Sequence, residues 1–111
     1  MGMFLLVIVD EWQRQLDISP EVMEQGHDFF DMVNKDMDKG WKMGPEYFEN
    51  PDRDQRIQIA ADRLLTAIET EKEELAELLA GYIVTQDNTV TAVRIDPNGD
   101  PLNTEIIRSW K

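Results

Sequence analysis

From residue 52 to residue 83, apolar side chains recur at Ile57, Ala61, Leu64, Ile68, Leu75, Leu79 and Tyr82. These steps of three and four put one stripe on one face of an α-helix. Asp52 and Asp54 supply acidic caps at its start, and Gln55 follows Asp52 at capping-box spacing. A helix of this length extends about 45 Å. It is not stable alone, so most of its stability has to come from whatever covers the stripe. The stripe is interrupted at Glu71 and Lys72, and Thr70 with Glu73 repeats the capping-box spacing there. A break near Thr70 is the alternative to the single helix 53–83 that the periodicity predicts.

A second helix is predicted over 20–39. Ser19 can cap it, and Pro20 stands at the first helical position, where its missing N–H is harmless. Val22, Met23, Gly26, Phe29, Phe30, Val33 and Met37 share one arc of the wheel, and Glu21, Glu24, Asp28 and Asp31 lie opposite. Lys39 and Gly40 suit its C-terminal end. Residues 41–51 form a connection rich in aromatics, with Trp41, Tyr47 and Phe48 expected to fold over the end of the helix pair and Pro45 to open one helical turn. The two helices should then run antiparallel.

Past Gly81 the pattern changes. Residues 89–95 are β-branched, 96–100 are turn formers and 102–107 read as a return strand, a small C-terminal hairpin. Two strands alone are marginal in water, so a third is needed, and the apolar run 3–9 is the candidate: Val7, Ile8 and Val9 favour a strand there, while Leu5, Ile8, Trp12 and Leu16 also fit helical spacing. The expected fold is therefore α+β: an antiparallel helix pair, about 20–39 and 53–83, with the hairpin. An all-α bundle with a loose tail is the alternative. With 111 residues, able to bury about 65% of the unfolded surface, the chain 1–111 is expected to be one small domain.

Twenty-three acids against 11 Lys and Arg give a net charge of −12, and residues 1–51 hold 11 of the acids and 4 of the bases. Nucleic acid and anionic lipid are disfavoured as partners, since both require a cationic surplus. The absence of cysteine removes disulfides, thiolate metal sites and cysteine nucleophiles. The run 3–9 is too short to span a bilayer and lacks a basic flank, so a cytoplasmic protein without membrane contact is expected.

No catalytic residue and no cofactor are predicted. Ser19 and Ser109 are the serines, and Ser19 is engaged as a cap. Asp96, Asn98 and Asp100 alternate as in a calcium loop, but the sixth position is Pro101 and the twelfth Ile107, so a turn is the reading. Glu69, Glu71, Glu73, Glu74 and Glu77 read as a solvated face. Glu24 and His27 have the Glu-x-x-His spacing that helical carboxylate metal sites use, with Glu71 on the seam as a third ligand. One histidine per chain would force such a site to be assembled across a dimer. The favoured function is a non-catalytic interaction or regulatory protein whose acidic row, Glu21, Glu24, Asp28 and Asp31, docks a protein partner; the metal-binding helical protein is the alternative. The longer helix outreaches the shorter, so a homodimer through the region of Leu75, Leu79 and Tyr82 is also expected.

Overall fold

The computed structural model describes residues 3–43 and 45–109. Strands β1 (Met3–Val9) and β2 (Trp12–Ile18) form an antiparallel hairpin whose register runs from Met3 opposite Ile18 to Val9 opposite Trp12. Asp10 and Glu11 close it, with Asp10 in the left-handed region at φ 52°, which a short Asp side chain tolerates. Helices α1 (Pro20–Gln25) and α2 (His27–Asp38) follow, then a two-stranded ribbon of β3 (Trp41–Met43) and β4 (Glu46–Phe48). Helices α3 (Arg53–Glu69) and α4 (Glu73–Gln86) fold back on each other, and β5 (Val90–Arg94) and β6 (Glu105–Arg108) end the chain, joined through a 3₁₀ turn at Pro101–Asn103.

The fold is α+β. A four-stranded sheet in the order β2-β1-β5-β6 holds β1 parallel to β5, with Val7 opposite Val93, while the other pairs are antiparallel. Strand alternation sends Leu5 and Val7 to one face, where both are fully buried against the helical layer. α4 packs on β1, β2 and β5, and α3 packs on β6. Leu64, Leu79, Tyr82, Ile83 and Val93 join them in one continuous core.

Several expectations need correction. The helix over 53–83 is two helices. Thr70 caps α3, Glu71 takes φ 60°, and the N–H groups of Glu71 and Lys72 donate to the carbonyls of Ile68 and Ala67, a Schellman ending. The helix over 20–39 is likewise divided, at Gly26, where a Cβ would come within 2.5 Å of the Val22 carbonyl oxygen and 2.8 Å of Phe30. Strand β2, unanticipated, alternates polar Gln13, Gln15 and Asp17 with inward Leu16 and Ile18. The tail is therefore half of a four-stranded sheet, with β1 supplying the third strand, and the all-α alternative is excluded. Pro45 lies in the turn of the β3–β4 ribbon and begins no helix; Trp41 and Phe48 pack on the core, while Tyr47 is exposed and donates to the Lys39 carbonyl.

The overhang expected to seat a second copy is filled from within. Leu79 and Tyr82 are 0% exposed, on a helix packed between α3 and the sheet, with Phe30 of α2 also against Tyr82, so neither is available to a dimer contact. Among the described residues no helix is long and apolar enough to cross a membrane.

Candidate functional site

The acidic row is built by the way α1 and α2 are anchored. The Ser19 hydroxyl accepts from the Val22 N–H, and the Ser19 N–H donates to Glu77 on α4 at 2.9 Å, pinning the start of α1. Gly81 lets α4 approach closely: a Cβ there would stand 3.2 Å from Phe30 and 3.3 Å from Val22. Phe30, Val33 and Met37 are buried, and the ring of Phe30 lies 6.2 Å from that of Tyr82. Burial of that stripe turns the opposite face outward. Glu21, Glu24, Asp28 and Asp31 are all exposed, and among the described residues none of them forms an ion pair.

Five acids elsewhere are matched to arginines. Asp38 meets Arg56 at 2.6 Å, Glu73 meets Arg14 at 2.8 Å, and Arg108 joins Asp54 at 2.6 Å to Asp87 at 2.8 Å. Hydrogen bonds from Thr89, then from Arg108, hold the Asp87 carboxyl well below the usual carboxylate range. Such groups are structural ties. Arg56 is the densest of them: its guanidinium donates to the Pro51 carbonyl, to Asn34, to Asp38 and to Asn50, fastening α3 to α2. The Tyr82 hydroxyl donates to Asn34 at 2.7 Å, and burial pushes its pKa up to about 12, so it stays protonated at neutral pH.

Within the acidic face Asp28, Asp31, Met32, Lys35, Asp36 and Lys39 surround a shallow depression. Met32, one of its lining residues, is 49% exposed. It was not singled out from the sequence, although its position opposite the buried stripe of α2 was readable there. Arg56 left no such signal, because its acceptors come from two separate segments, α2 and the connection before α3.

The metal set does not come together. His27 is exposed and meets Phe30 edge-on, Glu24 is exposed, and Glu71 sits in the exposed α3–α4 turn instead of on the apolar seam. Among the described residues no three His, Asp or Glu side chains form a group able to hold a metal ion. The break at Glu71 also divides the glutamate run: Glu77 caps α1, Glu73 pairs with Arg14, and the rest are exposed. The carboxylates of the 96–100 turn serve the turn itself, Asp96 accepting from the Asn98 N–H and Asp100 from the Leu102 N–H. No family model, curated protein or solved structure matches this chain.

Proposed function

We propose that the chain is a non-catalytic docking module whose acidic helical face receives a basic protein partner. The observation that carries this reading is the clustering of four exposed, unpaired acids along the outward side of α1 and α2. Arginines pair with Asp38, Asp54, Asp87, Glu73 and Glu105, and among the described residues Glu21, Glu24, Asp28 and Asp31 form no ion pair, although Lys35 and Lys39 line the same depression as Asp28 and Asp31. Unpaired charges on one face raise the encounter rate with an oppositely charged surface and set its orientation. The half-exposed Met32 beside Asp28 and Asp31 supplies an apolar contact for such an interface.

The test compares two double reversals of equal net charge using an arginine-rich peptide as probe. Glu24→Lys/Asp28→Lys should slow association about tenfold at low salt, with the difference fading as salt is raised. Glu69→Lys/Glu74→Lys, which reverses two exposed acids on α3 and α4, should have a much smaller effect. Equal losses in both variants would reduce the acidic row to a solubility feature and overturn the reading.

A further inference from the structure

We propose that the uncovered face of the four-stranded sheet is a self-association surface on which a second copy of this chain docks sheet to sheet. This rests on different residues from the acidic face and does not depend on it. Because Leu5 and Val7 point into the helical layer, alternation turns Phe4, Leu6 and Ile8 of β1 to the opposite side. The register sets Ala92 of β5 beside Leu6, and Ile107 of β6 beside Ala92. The result is an apolar strip across the face in which Phe4 is 47% exposed, Leu6, Ile8 and Ile107 are half-buried, and the small Ala92 is buried between its neighbours. Gln13, Gln15 and Asp17 of β2 rim one side, and the Arg94–Glu105 ion pair rims another. An apolar centre within a polar rim is the anatomy of a protein interface.

Charge selects the occupant. On a chain of net charge −12, this face carries two acids, Asp17 and Glu105, and one base, Arg94. A basic partner gains little there and much more on α1 and α2. Two copies of an acidic chain, by contrast, meet with little repulsion on a face that carries few acids. Size agrees with a weak dimer. Strands of up to seven residues, at about 3.3 Å per residue and about 4.8 Å apart, span a footprint on the order of 400 Å² per copy. Two such footprints amount to on the order of 800 Å² in total, below the standard-size interface and in the range of weak, transient contacts. Two such faces stack about 10 Å apart with side chains interdigitated, as in a β-sandwich.

Sedimentation equilibrium on the full chain tests this, with concentrations running from about 1 to 300 µM, where weak interfaces dissociate. A monomer–dimer equilibrium is expected, shifted toward dimer by added salt because salt screens the mutual repulsion. Leu6→Lys and Phe4→Lys should each raise the dissociation constant at least tenfold, and Phe4→Lys, at an already exposed position, should keep the parent circular dichroism and melting temperature. Met32→Lys on the helical face should leave the equilibrium unchanged. A monomer at every concentration in high salt overturns the proposal. So does a dimer indifferent to Phe4→Lys, or one weakened by Met32→Lys alone.

Discussion

Asp62 is half-buried on α3, and its pKa is raised, first by burial and then by the charges of Asp100, Asp96 and Glu69. The native state therefore holds the Asp62 proton to higher pH than the unfolded chain does. Stability falls as pH rises from about 4, the unfolded value, through the folded pKa. Asp62→Asn should accordingly stabilise the protein at pH 7, with the gain shrinking toward zero as pH drops below about 4. Thermal melts across that range check it; a gain that persists at low pH would mean that ionisation is not its source. Asp87 has the opposite sign. Its lowered pKa makes its contribution present above about pH 4 and lost as acid protonates it, so the two carboxylates tilt the pH profile in opposite directions.

Between α3 and α4 the connection is three residues, and its geometry depends on one of them. Glu71 occupies the left-handed position of the Schellman ending that glycine ordinarily fills. A side chain there is strained by about 1–2 kcal/mol. Glu71→Gly should therefore stabilise by about 1 kcal/mol, partly offset by the greater freedom of glycine in the unfolded chain. Urea unfolding measures it: the midpoint should rise at unchanged slope, and Glu71→Ala should give no such gain. Loss of stability in Glu71→Gly would mean that the Glu71 carboxylate contributes more than its backbone strain removes. The turn exists because a straight helix would carry Leu75, Leu79 and Tyr82 away from the sheet, whereas folding back places Leu64 and Leu79 in the same core.

At the scale of the whole molecule β1 is the keystone strand. It is hydrogen-bonded on both sides, to its sequence neighbour β2 and to β5, with Val7 and Val93 brought together from opposite ends of the chain. Leu5 is fully buried beneath the helical layer. Leu5→Ala should destabilise the protein by about 2–5 kcal/mol, and helix content and amide protection in β5 should be lost together at one shifted midpoint. A helical signal that keeps the parent midpoint while β5 loses protection would show two separately stable parts and refute a common core.

Local chemistry was legible in the sequence because it is decided within a few residues. The Asp52–Gln55 capping box, the Ser19–Pro20 helix start, the left-handed Gly40 at φ 97° and the buried stripes of α2 and α3 all follow from spacing and short-range hydrogen bonding. The exposure of the acidic row followed as well, since burying one side of an amphipathic helix turns the other to water. Period alone did not decide continuity: the same three-and-four rhythm runs through Thr70 whether the chain goes straight or turns back. It also left Met3–Val9 ambiguous, because both faces of a central strand can be apolar and the alternation that marks a half-buried strand is then missing. Tertiary structure settled these points by asking what covers each surface. The sheet needed α4 on its inner face, which broke the long helix, buried Leu79 and Tyr82 within the chain and left Phe4, Leu6 and Ile8 on the side that no helix covers among the described residues. Such outcomes depend on contacts between segments more than eighty positions apart, which no local pattern encodes.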